Sequence, residues 1–565
     1  MKKITTVLLI ALLLTAPQSF SAKTFDQLAH EILETLQEFH PVHATEMGIH
    51  AYDHRFTDYS SPSVKEALKK FNNFEKELYR YKDANIPIEQ KIDYKLLKAE
   101  VDMEIYDLKR IKWHERNPQI YVNELIDGIY FLLLSDHAPL SEKVVQIVNR
   151  MKAVPPFLAT AKKNLKKPDP VYIRAANESL ESAIRFYKSV AGELMNKFPE
   201  RADNILKVST AAREAMSDFQ TYLSTMTPGP EMSFAIGKEN FDYMLSNLYF
   251  LPYDSDSLLK IGEALFEEVD SLYRDYAVYV EEEHQNGTDS VFVPANFTKQ
   301  DILNYYNWEA EQEKIFLQEY DLITIPENIA PLKVIETPPF LRTMVSGIAY
   351  QPAGPFDSVQ TGLFYVRPIP DDLDRKQLES RYRYVQRRGF KASVVHEGYP
   401  GHHLMTQICG MNQDPVRKWS QNMLLIEGWA LYCEQMMYEQ GLYGQEDPTM
   451  WLNTLGGIRF RAARIIADVK LHTGQFSYDD CVNWMTEALD IDTDSGQEYI
   501  KKEVTRYTMT PTIPMSYLIG KTEIMKLRDA YMEQQGVDFE IADFHDKLLA
   551  EGAISPILLY EIWGL

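Results

Sequence analysis

The sequence predicts a mainly α-helical protein with a small β-sheet beside its cleft, and three observations carry that expectation. Apolar side chains recur at three- and four-residue steps through several long stretches, the period of one buried helical face. Runs of β-prone residues are few and short. Hydrophobic residues make up 45% and charged residues 25% of 565, the balance of a folded soluble chain and not of a disordered or fibrous one.

Taken in chain order, residues 1–22 stand apart. MKKITTVLLIALLLTAPQSFSA joins Lys2 and Lys3 to an apolar run from Val7 to Leu14, a break at Pro17 and small residues at Ser19, Ser21 and Ala22. That is the layout of a cleavable secretory signal, so a periplasmic or extracellular destination is expected. The apolar run is too short for a spanning helix, which needs roughly 18–20 apolar residues, and no other stretch reaches that length. No cysteine lies near the cleavage region to carry a lipid. The expectation is a free exported protein with no stable membrane insertion.

Helical periodicity begins directly afterwards, in Phe25, Leu28, Ile32, Leu36 and Phe39. It returns in Ala67, Phe71, Phe74, Leu78 and Tyr81, and in Leu180, Ile184, Tyr187, Val190, Leu194 and Phe198, where Pro199 supplies a stop. After Ser257 it runs through Leu258, Ile261, Leu265, Phe266, Val269 and Leu272. Pro228-Gly229-Pro230 marks a joint between an N-terminal helical half, residues 23–229, and a C-terminal half, residues 230–565, that carries the chemistry; it reads equally as a surface loop within one domain. The best strand is Leu363-Phe364-Tyr365-Val366, between the turn-rich QPAGPFDS and a proline stop. This strand is expected to accept an extended peptide along its edge.

Charge and cysteine content narrow the function. Acidic side chains number 82 against 59 basic, a formal charge of −23, and no Lys/Arg-rich run offsets it, which argues against a nucleic-acid partner. Cys409, Cys433 and Cys481 are too few for a disulfide framework in an exported chain of this size, so buried thiols are expected.

Three of the 13 histidines fall within His396-Glu397-Gly398-Tyr399-Pro400-Gly401-His402-His403. A histidine beside a glutamate is how zinc peptidases set a ligand next to a general base. The H-E-x-x-H spacing is not met, because Pro400 occupies the fourth position. On an unbroken helix of about 100° per residue His403 returns to within about 20° of His396, and His402 lies about 120° away. Pro400 and Gly401 predict a kink that makes this wheel unreliable, so spacing leaves both histidines open. The third ligand is expected from Glu427, a carboxylate inside the apolar helical stretch WSQNMLLIEGWALYCEQMMYEQG that needs a cationic partner. Glu434, seven residues on, shares its face and could orient a ligating imidazole or an arginine.

Two further stretches put polar groups on apolar faces. Arg464, Asp468 and His472 are spaced four and four on one helical stripe. Arg506, Tyr507 and Tyr517 surround a bend at Pro511 and Pro514; a tyrosine beside zinc can donate to an oxyanion, and an arginine can hold a substrate carboxylate.

HEGYPGHH, IEGWALYCE, the R-x-x-x-D-x-x-x-H stripe and R-Y followed by SYLIGK together resemble the bacterial domain-of-unknown-function family eight-eight-five, regarded as zinc-dependent peptidases of the gluzincin type. FHPVHATEMGIHAYDHRFTDYS and FAIGKENFDYML extend the resemblance over nearly the whole mature chain. It implies a large helical zincin-like fold and Zn²⁺ held by His396, His402 and Glu427, with Glu397 as general base. His403 becomes a neighbour within reach of substrate. Tyr517 falls on the family tyrosine, and Arg464 and Asp468 on the stripe. Where relatives read P-G-Q-A before S-Y, this chain has Pro511-Thr512-Ile513-Pro514-Met515.

The functional expectation is an exported zinc metallopeptidase acting on oligopeptides, with Tyr517 stabilising the oxyanion and Tyr507 or His472 as alternatives. The rivals are a zinc hydrolase of esters or non-peptide amides, and a non-enzymatic exported helical binding protein.

Overall fold

The computed structural model describes residues 23–284, 293–338, 348–386, 388–442 and 448–565; the secretory signal at 1–22 lies outside them. Helices dominate, joined by one three-stranded sheet. Helix α1, Phe25–Phe39, starts on a capping box in which Thr24 and Gln27 satisfy each other's backbone N–H groups. The expected stripe Phe25, Leu28, Ile32, Leu36 and Phe39 is buried along it. Helices α2 (Gln119–Leu134), α3 (Leu140–Asn164), α4 (Pro170–Lys197) and α5 (Ala202–Thr225) form an N-terminal bundle around Leu125, Ile129, Ile147, Val154, Leu180, Phe186, Met216 and Phe219. Helix α4 ends just before Phe198 and Pro199, because proline cannot continue a helix. In the stretch after Ser257 the structure buries Leu258 and Val269 but leaves Leu272 half exposed, so the inward stripe is narrower than the periodicity suggests.

Hydrophobic packing crosses the Pro228–Pro230 joint. One core cluster unites Phe25, Ile32, Phe71, Leu97 and Val101 with Val394, Leu404, Trp429, Ile524 and Leu559. The two ends of the chain are therefore built into one core.

Helix α6 (Lys299–Glu319) precedes strands β1 (Leu332–Glu336), β2 (Ala349–Gln351) and β3 (Gly362–Val366). Their order is β1-β3-β2, with β1 parallel to β3 (Val334 opposite Phe364) and β2 antiparallel to it (Tyr350 opposite Phe364). The predicted strand is thus the centre of the sheet. Both of its edges are taken, so it cannot accept a peptide; the outer edges of the sheet belong to β1 and β2. Central placement explains why β3 had the clearest apolar signal, since Phe364, Tyr365 and Val366 are all buried.

The site is assembled from α7 (Arg388–Glu397), α8 (His402–Gly410), α9 (Met423–Glu439), α10 (Pro448–His472), α11 (Asp494–Met509) and α12 (Ile513–Gln535). All three cysteines are buried free thiols, as expected. Among the described residues no helix is long and apolar enough to cross a membrane.

Candidate metal centre

His396 and Glu397 occupy the last turn of α7, and the chain then leaves the helix altogether. Gly398 N–H donates to Val394 O, Gly401 N–H donates to Val395 O, and α8 restarts at His402. The expected kink is a complete break, so helical-wheel angles do not carry across it. Gly401 is required by proximity: a methyl on its Cα would collide with the carbonyl oxygens of Val395 and His396. This tight return brings His402 back to His396, with ring centroids 4.8 Å apart and planes at 88°.

Glu427 completes the group. Its Oε2 lies 3.7 Å from His396 Nε2 and 3.6 Å from His402 Nε2, and the three donor atoms fall within 4.8 Å of one another. Ligands of a tetrahedral zinc at ~2.0–2.1 Å stand roughly 3.4 Å apart, close to the two distances from Glu427, so the donor set suits that ion. Burial opposes charge on Glu427, but His402, His396 and a hydrogen bond from the Tyr517 hydroxyl bring its pKa down to about 2. It is anionic, as a ligand carboxylate must be.

The residues around Glu427 each have a packing reason. Gly428 lies against Gly520 of α12, where a methyl would sit 2.6 Å from Gly520 Cα, so α9 and α12 meet backbone to backbone. That contact sets Tyr517, three residues earlier on α12, over Glu427. Trp429 is fully buried, and its Nε1–H donates to Pro400 O at 2.8 Å, fastening α9 to the turn between the two histidines. Glu434 accepts from His396 Nδ1–H at 2.8 Å, which turns Nε2 toward the ligand group. Burial disfavours the Glu434 carboxylate, yet Arg461, at 3.8 Å, and His396 hold its pKa below the usual range.

Glu397 accepts from the backbone N–H of Tyr350 at 2.9 Å, tying the expected base to the edge strand β2. His403 does not join the metal group or face the cleft. It is fully buried, donates from Nε2 to Ala330 O at 3.1 Å and accepts from the Tyr350 hydroxyl at 3.2 Å. Burial lowers its pKa to about 4 and keeps it neutral. Its place is a brace behind β2, so the expected substrate contact is corrected.

The 464/468/472 stripe separates into different tasks. Arg464 donates to Glu503 Oε2 at 2.8 Å and lies over the Tyr517 ring, 4.8 Å from its centroid. Arg506 and the Tyr507 hydroxyl donate to the same oxygen at 2.8 and 2.9 Å. Asp468 is fully buried and accepts from Thr512 N–H and Met515 N–H, stapling the turn into α12. His472 is also fully buried, its Nε2–H donating to Tyr507 O at 2.9 Å among the rings of Phe234 and Phe241. Burial pushes Asp468 well up and His472 down to about 4. Both are structural here, and His472 is withdrawn as a catalytic candidate. Tyr507, fully buried with its hydroxyl on Glu503, is withdrawn as an oxyanion donor. Glu503, Arg461 and Tyr350 were not singled out by spacing; Glu503 sits three and four residues before Arg506 and Tyr507, a helical offset that could have found it.

A second histidine group, His50, His137 and Asp357, also has close donor atoms. Its geometry is different. The two rings are stacked 3.4 Å apart at 14°, so their in-plane lone pairs run parallel and do not converge on one ion. Both His50 nitrogens already face carboxylates, Asp53 and Asp357, each at 3.0 Å. This is an imidazolium clasp.

Two solved structures share the fold. A candidate lipoprotein of unknown function from Shewanella oneidensis aligns with a TM-score of 0.76 at 19% identity, covering 96% of this chain and all of that one. A candidate lipoprotein from Colwellia psychrerythraea aligns at 0.77 and 18% identity, over 95% of this chain and 98% of its own. No curated protein matches the sequence. The family of bacterial proteins of unknown function designated DUF885 matches residues 41–561, and the chain belongs to it.

Proposed function

We propose that this protein is an exported zinc-dependent peptidase of the gluzincin type, acting on oligopeptides. The observation that carries the reading is the convergence of His396, His402 and Glu427 with no fourth protein ligand among the described residues. Structural zinc sites close with four protein ligands, whereas catalytic sites keep three and an open position. Zinc held there would supply Lewis acidity to a scissile carbonyl and lower the pKa of a water toward ~7.

The chain's own residues divide the remaining work. Glu397 takes the proton of the attacking water and returns it to the leaving amine. Its hydrogen bond from Tyr350 N–H holds Oε2 in place and leaves Oε1 for that exchange. Burial and the Glu427 carboxylate raise the Tyr517 phenol and keep it neutral; its single proton, given to Glu427 here, would turn to the oxyanion as that charge develops. The outer edge of β2, beside Glu397, supports main-chain alignment of an extended peptide. The signal-like residues 1–22 support export, and the lipoprotein description of the two similar structures agrees with it.

The test is elemental analysis of the mature protein together with a peptide-library digest. We expect about one zinc per chain and cleavage products, with Glu397→Gln keeping the zinc and losing roughly 10²–10⁴-fold in rate. Zinc-loaded Glu397→Gln that cleaves as fast as the parent would overturn the reading. Turnover of esters or amides without peptides would replace it with the hydrolase rival.

A further inference from the structure

The groups next to Tyr517 carry more positive charge than the metal centre needs. Arg464 and Arg506 share a single carboxylate, Glu503, and both donate to its Oε2. Among the described residues no second carboxylate pairs with either. Arg461, one helical turn before Arg464, pairs with one carboxylate, Glu434 at 3.8 Å, and donates to Gly457 O at 3.3 Å, but its Nε has no partner; neither does that of Arg464. Arg464 is 7% exposed, so this is a buried guanidinium with an unmet donor. Two guanidinia on one carboxylate leave a net positive charge, which is costly to bury unless an anion completes it. In a chain with a formal charge of −23 such a cluster is also the exception.

The position is informative. The Tyr517 ring lies between Arg464, 4.8 Å from its centroid, and Glu427, which accepts from its hydroxyl. One aromatic ring thus separates the cationic group from the metal ligand, a gap of the order that one or two extended residues span at about 3.3 Å each. Arg506 keeps 36% of its side chain exposed, so a ligand can reach it.

We propose that Arg464 and Arg506, held by Glu503, receive the free C-terminal carboxylate of a peptide, so that the enzyme trims from the C-terminus. The inference rests on the peptidase reading. Glu503 already meets Arg506 through both Nε and Nη2, so the donors left for a second carboxylate are the other edge of Arg506 and the unpartnered Nε of Arg464. Arg461 stays with Glu434 and the histidine it orients.

Three peptides of one sequence separate the sources of the carboxylate: free C-terminus, C-terminal amide, and amide with a glutamate as last residue. With zinc-loaded protein, kcat/KM should fall about 10- to 100-fold on amidation, chiefly through KM, and Arg506→Gln should remove most of that difference while leaving zinc content unchanged. Equal cleavage of free and amidated peptides overturns the proposal. Recovery by the glutamate-ended amide overturns it in favour of an acidic side chain. Affinities for the free and amidated peptides, measured on zinc-loaded Glu397→Gln protein, keep the two readings apart. A tenfold preference for the free peptide that disappears in Glu397→Gln/Arg506→Gln supports the clamp even if nothing is cleaved, and equal affinities reject it even if cleavage is seen.

Discussion

His402 and His403 are adjacent in sequence and opposite in role, and the difference lies in the break at Gly398–Gly401. His402 faces Glu427 at 3.6 Å, whereas His403 turns to Ala330 O and Tyr350. His402→Ala should therefore lose zinc. His403→Ala should keep it but leave Ala330 O without its donor, at a cost of about 2 kcal/mol in unfolding free energy. Competition titration with a zinc chelator and urea unfolding read the two effects, and the reverse pattern would reject the ligand assignment. At this scale the sequence was most legible where chemistry forces a residue type. Glu427 and Glu434 are both brought to the histidines, one beside His396 and His402 and one on His396 Nδ1, because a carboxylate in an apolar stripe needs a partner. Spacing put Asp468 and His472 side by side, and they do approach at 3.9 Å, but it could not show what either one bonds. Spacing describes one helix, and their partners, Tyr507 O, Thr512 N–H and Met515 N–H, lie some 35 to 47 residues away.

Helices α9 and α12 depend on a contact that no periodicity reports. Gly428 and Gly520 let the two backbones touch, and a methyl at Gly520 would strike Leu424 O, which cannot move without shifting α9. Gly520→Ala should cost ~1–3 kcal/mol by overpacking. It should also weaken zinc binding, because Tyr517 and Glu427 are carried by the helices forced apart. Gly192→Ala, where the added methyl meets nothing, is the matched control on α4; it should stabilise by up to about 1 kcal/mol. Urea midpoints and zinc affinities of the two variants test this, and parallel effects at both positions would reject the close-contact account. The strands show the same boundary of legibility. β3 was found because Phe364, Tyr365 and Val366 are buried on both faces. β1, Leu332–Glu336, mixes Lys333 and Glu336 with apolar residues, and β2 is three residues long, so neither gave a periodic signal.

Across the whole molecule, the N-terminal motif FHPVHATEMGIHAYDHRFTDYS connects to the cleft through the imidazolium clasp. His50 bonds Asp53 on its own segment and Asp357 in the segment between β2 and β3, Phe356 N–H donates to Met47 O at 3.0 Å, and Gly354 packs against the Gly48 backbone. The segment that follows the cleft strand is thereby tied to the beginning of the chain, over 300 residues away. Sequence reading recognised the motif but had no means of pairing it, since the partner is so distant. Burial works against charge on His50, and the hydrogen bonds to Asp357 and Asp53 outweigh it, raising its pKa from 6.5 to about 9; the stacked His137 is lowered and stays neutral. A group whose folded pKa exceeds its unfolded value stabilises fully below the unfolded one. The contribution of His50 is therefore complete below about pH 6.5 and is lost as pH rises through 9, with an upper bound of ~3 kcal/mol. Comparison of the parent with His50→Gln isolates this term, because the repulsion of a highly acidic chain is common to both. The stability gap between them, from urea unfolding, should be largest at pH 6, shrink steadily between about pH 6.5 and 9, and be mostly gone at pH 10. A gap that stays constant across that range would mean that His50 supports the segment by packing alone, and that its charge does not hold that segment to the beginning of the chain.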